Sequence, residues 1–285
     1  MKQWFSLLLV LSIGASSTEL HGQARDIPSA TPTVPAGSPD QQGKKLLDEM
    51  VFALGGPAWF DRKYQQVEGR TAAFFRGQPN GSVVEYVGWK RFAASGKPEA
   101  ERIGFKSPKG MIVPGKKIDI FQLYINNTAW EITFKGSKEI PRQIVEDYYR
   151  RQQHSIEIVV GKWLKEPNVL VAYEGQRMVD RKIADAVTVI NAQNDAVTID
   201  IDTASHLPIR RTFKFRNEQF KDFDEEAETY DDYHTSDGLP TPYTLTRYRN
   251  GEITNQRFYT KVVYNQEIPD DLFDATKLPP EKEKK

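Results

Sequence analysis

Apolar and polar residues alternate with a period of two along most of the chain from Val67 onward. Successive side chains of a β-strand point to opposite faces, so this pattern predicts strands with one buried and one hydrated face. The alternation is clearest in segment 197–202. It predicts Val197, Ile199 and Ile201 on the buried face and Thr198, Asp200 and Asp202 in water. The candidate strands are Val67–Arg76, Ser82–Phe92, Ala100–Lys106, Ile118–Asn126, Ala129–Phe134, Val169–Tyr173, Asp185–Asn191, Ala196–Asp202, Ile209–Arg216, Glu226–Tyr233, Tyr243–Arg249 and Gln256–Tyr264.

Turn-forming residues separate these strands. Asn80-Gly81, Asp237-Gly238 and Asn250-Gly251 are dipeptides that favour tight hairpins between antiparallel neighbours. The close and regular spacing of the strands indicates one continuous antiparallel sheet, and a sheet of this size curls to bury one face.

Two segments have the apolar spacing of helices instead. In Gly43–Leu54, one apolar stripe is formed by Leu47, Met50, Val51 and Leu54, and Gly55-Gly56-Pro57 ends the helix. The second helix runs from Pro141 to about Leu164, although Ile156–Leu164 is so uniformly apolar that strand and helix both stay open there. The predicted fold class is α+β: a curled antiparallel sheet of about ten or more strands, an incomplete β-barrel, covered by two or three helices.

The two ends of the chain differ from its middle. A cationic start, the largely apolar run Trp4–Gly14 and small residues up to Ala24 predict a cleavable export signal over residues 1–24, with an uncleaved amphipathic anchor as the alternative. Residues 25–42 are rich in Pro, Ser and Thr and are read as a flexible linker, and 276–285 as a charged disordered tail. We therefore expect a single folded domain over residues 43–275 of a soluble periplasmic protein.

Composition narrows the function. The 39 basic and 39 acidic residues balance, so there is no basic excess of the kind that nucleic-acid binding requires. The chain has no cysteine, which excludes thiol catalysis, cysteine metal sites and a lipidated N-terminal cysteine. No nucleophile elbow, zinc-protease, phosphate-loop or dinucleotide motif occurs. We expect no enzyme activity, no cofactor and no metal.

Three polar features have modest interpretations. The acidic run 222–232 predicts a solvated loop and strand edge. His206 and His234 lie in turns without metal-ligand spacing and are expected at the surface. In segment 108–115, Met111-Ile112-Val113 is flanked by lysines, so the loop is either simply solvated or in transient contact with an anionic membrane surface.

Several turn motifs resemble one family. The hairpin segment DIDTASHLPIR at 200–210, the turn Tyr233–Pro242 and the ending NQEIPDDLF at 265–273 resemble corresponding motifs of the lipoprotein-carrier superfamily, which includes LolA and LolB. Near the start, Ala53-Leu54-Gly55-Gly56 followed by Trp59-Phe60 is similar to the helix end of exported outer-membrane lipoprotein-sorting proteins. The resemblance covers about 180–273 well and 44–70 loosely. It implies an incomplete β-barrel whose concave apolar face holds the acyl chains of a lipid or a lipidated protein.

The residues suggest a matching site. A cleft between helices and a curled sheet would bind an acyl chain with about 0.8 kcal/mol per buried methylene. Its predicted wall consists of Val187, Val189, Val197, Ile199, Ile201, Phe213 and Phe215, and its predicted helical lid of Leu47, Met50, Val51 and Leu54.

The preferred interpretation is non-enzymatic binding or carriage of a lipid, acyl chain or lipidated protein in the cell envelope. One alternative is an envelope interaction or scaffold module, in which the same apolar residues pack as a filled core without a ligand. A hydrolase of unrecognised type is the second.

Overall fold

A computed structural model describes residues 41–277 apart from 82, 94–95, 107–117, 119 and 218. The predicted export signal, nearly all of the predicted linker, the 108–115 loop and most of the predicted tail lie outside the described residues. The first helix begins at Gln41, two residues before the predicted domain start.

The described chain consists mainly of strands. The helices are α1 (Gln41–Ala53), α2 (Pro57–Phe60), α3 (Arg142–Gln153) and α4 (Ile156–Gly161), and two 3₁₀ helices cover Trp163–Lys165 and Asp270–Phe273. The strands are β1 (Tyr64–Phe75), β2 (Gln78–Pro79), β3 (Val84–Phe92), β4 (Pro98–Phe105), β5 (Ile120–Ile125), β6 (Thr128–Thr133), β7 (Gly136–Glu139), β8 (Leu170–Val179), β9 (Lys182–Ile190), β10 (Ala196–Asp202), β11 (Pro208–Arg216), β12 (Phe223–Ser236), β13 (Leu239–Arg249) and β14 (Glu252–Tyr264).

All the strands belong to one antiparallel sheet. Its order is β7-β6-β5-β4-β3-β1-β14-β13-β12-β11-β10-β9-β8, with the short β2 paired to the end of β1. In the described chain β7 and β8 do not pair with each other, so the sheet is open. Its central pair joins the first strand of the chain to the last. The structure confirms the predicted fold class, a curled antiparallel sheet with covering helices.

The two glycine hairpins of the C-terminal half are confirmed. Asp237-Gly238 joins β12 to β13, and Asn250-Gly251 joins β13 to β14, each between antiparallel neighbours. Both residues of each pair have positive φ, which tight hairpin turns require. The turn that ends β1 instead lies at Arg76-Gly77, ahead of the predicted Asn80-Gly81.

A long hairpin differs from its prediction. Strand β8 continues to Val179, beyond the predicted end at Tyr173, and turns at Asp180-Arg181 into β9. The turn has no glycine, and both residues adopt positive φ (45° and 67°). The polar character of 174–182 hid this extension.

One large core lies between the helices and the inner face of the sheet. Helix α1 packs on β8 and β9, and α4 buries Ile156, Ile158, Val159 and Val160. Close approach of α1 depends on Gly43, since a Cβ there would lie 2.9 Å from a Val171 methyl group. A smaller core joins β4–β6 to the C-terminal 3₁₀ helix.

The prediction that Asp200 faces water is wrong. Its side chain is fully buried, and its two carboxylate oxygens accept hydrogen bonds from Arg177 Nε (2.5 Å) and Arg210 Nε (2.7 Å). Arg177 reaches it across β9, where the small residues Ala184 and Ala186 leave room. Alternation correctly placed Asp200 on the face opposite Ile199, but that face is covered by arginine side chains.

For the acidic run, the predicted solvation holds at Asp222, Asp231 and Asp232, which are exposed, but the predicted strand edge is wrong. Strand β12, which contains most of this run, lies between β11 and β13 in the sheet interior. Asp224, Glu226 and Glu228 are all buried. Alternate positions of β12 face the concave side, and there arginines from neighbouring strands neutralise Asp224 and Glu228, while Arg151 of α3 lies beside Glu226.

Candidate functional site

The residues of the predicted apolar wall do come together on one face. In register, Val197 lies between Val189 and Phe213, and Ile199 lies beside Val187. The five aliphatic residues of β9 and β10 have no exposed surface, and Phe213 is 2% exposed. Phe215 is half-buried, with the guanidiniums of Arg150 and Arg249 over its ring.

The predicted lid residues cover this wall. Leu47 and Met50 have no exposed surface, Leu54 is buried and Val51 is half-buried. All belong to, or pack against, the same core as the sheet residues. Wall and lid residues thus belong to one buried core, so this part of the concave face is packed.

The open space lies beside that core. A cavity of about 180 Å³ lies between the inner faces of β3, β4 and β11–β14 on one side and the α2, α3 and α4 region on the other. Its apolar lining includes Leu54, Trp59, Phe92, Ile156, Leu245 and Tyr259. Of the predicted site residues, only Leu54 reaches it.

Charged side chains distinguish this cavity from a simple acyl pocket. Six cationic residues and three acidic ones line it: Arg62, Lys90, Arg151, Arg211, Arg247 and Arg257, and Glu101, Glu157 and Glu228. Charges at this depth are stable only when paired or hydrogen-bonded, so each pairing matters.

Glu228 is the centre of the largest charged cluster. Its Oε1 accepts a hydrogen bond from Arg247 Nε (2.7 Å), and its Oε2 accepts bonds from Tyr230 (3.1 Å) and Arg211 (3.4 Å). Burial by itself would raise the pKa of Glu228, but the two guanidiniums outweigh it and hold the pKa well below its usual value. The group is therefore a carboxylate at neutral pH.

Arg211 ties this cluster to the helical layer. Its Nη1 donates to the backbone carbonyl groups of Arg151 (2.8 Å) and His154 (2.7 Å), at the end of α3. A cation at a helix C-terminus satisfies carbonyl groups that have no partner within the helix. His154 is buried and stacks on Phe213, with ring centroids 4.2 Å apart.

Glu101 forms a second cluster on the other side of the cavity. It accepts a hydrogen bond from the Tyr148 hydroxyl (2.7 Å), and Lys90 Nζ lies 3.9 Å from its other oxygen. Burial by itself would raise the pKa of Glu101, but the positive charges of Lys90 and Arg257 outweigh this effect. The pKa of Glu101 therefore lies below its ordinary value. Tyr148, from α3, also stacks on Tyr124 with ring centroids 3.9 Å apart.

Arg257 differs from the other cations of the cavity. Among the described residues its side chain forms neither an ion pair nor a hydrogen bond, and its guanidinium lies 5.8 Å from the centre of the Tyr86 ring. Burial would lower the pKa of Arg257, but the oxygen atoms of Tyr86 and Glu101 raise it. The side chain is charged and points into the cavity.

The sequence analysis missed this charged site. In β14 the inward residues are Arg257 and Tyr259, then Val262 and Tyr264, because a bulge opposite Glu68-Gly69 shifts the alternation by one residue. The sequence feature that could have revealed this site was a charged residue at a strand position flanked by aromatic residues. A strand alone does not say which of its faces is the inner one.

Solved structures share this architecture. An outer membrane lipoprotein-sorting protein domain of Vibrio parahaemolyticus aligns over 81% of this chain and 97% of its own, with a TM-score of 0.51 and 9% identity. A DUF1329 family protein of Desulfovibrio piger aligns over 83% and 98%, with a TM-score of 0.52 and 12% identity. This chain has the fold of these proteins. A LolA superfamily protein of Nitrosomonas europaea aligns over 81% and 96%, with a TM-score of 0.45 and 11% identity.

The resemblance proposed from the turn motifs is thereby confirmed at the level of the fold. No protein-family model matches the sequence, and no curated protein matches it. Identities of 9–12% establish a shared fold, and a shared fold does not assign a ligand. In the part of the chain that the structure describes, no helix is both long enough and apolar enough to cross a membrane.

Proposed function

We propose that this protein binds a lipid, an acyl chain or a lipidated protein in the cell envelope, without chemical conversion of its ligand. The observation that carries the proposal is the cavity between the sheet and α3–α4, which combines an apolar and aromatic lining with a few convergent polar groups. Ligand sites generally have this combination. The shared fold with a lipoprotein-sorting domain supports it.

The packed core beneath α1 changes where the ligand would bind. The sequence predicts that the wall of Val187, Ile199 and Phe213 holds acyl chains, but these side chains are buried in the same core as the lid residues. The proposal therefore moves the ligand to the adjoining cavity, with Leu54 at the boundary between core and cavity.

The cavity must widen to accept a whole chain. Its 180 Å³ is below the roughly 300–1,000 Å³ of typical ligand pockets. Helix α3 is the wall best suited to move, because it buries only Val145. Its other contacts with the sheet include the stacking of Tyr148 on Tyr124 and two hydrogen bonds, from Tyr148 to Glu101 and from Gln152 Nε2 to the Pro98 carbonyl (3.2 Å).

Secretion and membrane contact belong to the same proposal. A protein that handles envelope lipids would be exported, as the apolar N-terminal segment suggests, and the lysine-flanked 108–115 loop would touch anionic lipid transiently.

The test is a lipid extraction of the purified full-length protein followed by mass spectrometry, paired with titration of a fluorescent fatty acid. We expect co-purifying lipid and saturable binding. A protein without lipid that also fails to bind the probe would support the scaffold alternative, which the packed core beneath α1 favours.

A further inference from the structure

We propose that the ligand carries an anionic group, a carboxylate or a phosphate ester, that pairs with Arg257 inside the cavity. This inference rests on the proposed function and specifies its ligand class: an anionic amphiphile, bound with its charged group inside the fold.

Charge balance is the first argument. The acidic groups of the lining are already engaged: Glu228 with Arg247 and Arg211, Glu101 with Lys90, and Glu157 with Arg62 (3.3 Å). Arg151 Nη1 lies 3.7 Å from Glu226 Oε2. Within the described structure Arg257 is close enough to Glu101 and Glu228 to be influenced by their charge, but it forms an ion pair with neither. A ligand anion would supply the missing charge.

The position of Arg257 in the sheet is the second argument. In register, Arg257 pairs with Leu245 and Asn255 with Arg247, so the two arginines are diagonal neighbours on β14 and β13 and both face the cavity. Arg247 is itself the register partner of Glu228 on β12. The Glu228 carboxylate therefore pairs with Arg211 and Arg247. Arg257, the diagonal neighbour of Arg247, has no ion pair of its own among the described residues.

The chemistry of the group is the third argument. A guanidinium offers a planar fork of donors that matches a carboxylate or phosphate, and a hydrogen bond to a charged partner contributes about 1.5–3 kcal/mol. The buried hydroxyl of Tyr86 lies on the side chain whose ring is beside Arg257, and it is a candidate additional donor.

The lining around Arg257 suits the rest of an amphiphile. Tyr259, Leu245 and Phe92 offer aromatic and aliphatic surface in the same cavity as the guanidinium. A free inorganic anion would use the charge and leave this surface unused, whereas a chain attached to the anion would cover it.

The experiment compares three dodecyl ligands below their micelle concentrations: dodecanoate, dodecyl phosphate and dodecanol. Each displaces a neutral fluorescent acyl probe from the full-length protein, its R257Q variant, its R257K variant and R142Q. Arg142 is a matched control because it is an exposed arginine that pairs with Glu146 on α3.

We expect the wild type and R142Q to bind at least one anionic ligand about 10–150-fold more tightly than dodecanol, the range that 1.5–3 kcal/mol corresponds to. R257Q should lose this preference while its dodecanol affinity stays unchanged, and R257K should keep part of it. The stronger of the two anions identifies a carboxylate or a phosphate ligand.

The outcomes separate the two proposals. Equal binding of all three ligands, with R257Q like the wild type, would overturn the anion site and leave lipid binding intact. If none of the three ligands binds and the neutral probe does not bind either, both proposals are overturned. Melting curves of each variant show whether a loss of binding comes from unfolding, and R257K then decides the role of the charge.

Discussion

The Glu228 carboxylate shows what single charges contribute in this protein. It is buried on the inner face of a central strand and accepts hydrogen bonds from two arginines and a tyrosine. A buried pair adds little beyond what its desolvation costs, but removal of one partner leaves the others as unpaired buried charges. Such residues therefore tolerate substitution poorly, whatever ligand the cavity binds.

We predict that Glu228→Gln lowers the free energy of unfolding by about 3 kcal/mol or more, since Arg247 and Arg211 lose their shared anion. Urea denaturation measures the change. Glu146→Gln is the matched control, because Glu146 also pairs with an arginine but on the exposed face of α3, and it should change stability by less than about 0.5 kcal/mol. Equal effects of the two substitutions would show that Glu228 is not buried as described.

The lowered pKa of Glu228 predicts how stability depends on pH. In the unfolded chain this group takes up a proton near pH 4.5, whereas in the folded protein it stays ionised at lower pH. Its contribution is thus complete above about pH 5 and decreases as the pH falls from there toward the folded pKa. We expect the stability difference between the wild type and E228Q to shrink over this range. A difference that stays constant down to pH 3 in urea titrations would contradict the assignment.

At the scale of elements, the strands and helices divide the concave side into two regions. Strands β9–β11 and helix α1 form the packed apolar part, with α4 buried in the same core. Strands β11–β14, together with β3 and β4, carry charged residues that line the cavity, and α3 contributes to the same lining. The first region stabilises the fold, and the second is where we propose that a ligand binds.

The packed region gives a direct test at Ile199, which has no exposed surface on β10. Ile199→Asp would bury an unpaired carboxylate against Val187 and the helical layer, so we expect a loss of several kcal/mol and a domain that is unfolded or nearly so at 37 °C. Ile199→Val is the control and should cost about 0.5–1.5 kcal/mol. A folded I199D protein that has only lost acyl binding would instead show that this face opens as a cleft.

The helices α3 and α4 are predicted to differ in dynamics. Helix α3 buries one residue, Val145, whereas the shorter α4 buries five. Few buried apolar contacts are typical of segments that open locally. We expect amides of 142–153 to exchange with solvent faster than those of 156–161, and dodecanoate to slow the former selectively. Equal protection in mass-spectrometric hydrogen exchange would contradict a mobile α3 wall.

At the scale of the whole molecule, the open sheet brings together residues that are far apart in sequence. Strand β1 pairs with β14, so that the start and end of the described chain meet in the middle of the sheet. Lys90 and Glu101 from the first half thereby face the same cavity as Glu228 and Arg257 from the second. The charged cavity therefore depends on the pairing of β1 with β14. We expect it to be lost in a fragment that contains only one half of the chain.

The sequence by itself determined the elements and much of the fold. Alternation and turn chemistry placed nearly all of the long strands, the two C-terminal hairpins and the apolar stripe of α1, because these depend on local periodicity and on backbone conformation at Asp237-Gly238 and Asn250-Gly251. The register of β9–β11 then aligned Val187, Val197 and Phe213 as alternation required. The turn motifs were sufficient to indicate the fold.

Only the tertiary structure decided which apolar face was filled and which charged residues were inside. Alternation identifies two faces of a strand, but burial of the polar face depends on neighbours: Arg177 and Arg210 cover Asp200, and Arg247 neutralises Glu228. The bulge in β14 shifts Arg257 relative to Tyr264. Charge compensation and cavity volume are properties of several strands together, so a pattern read along one strand at a time does not contain them.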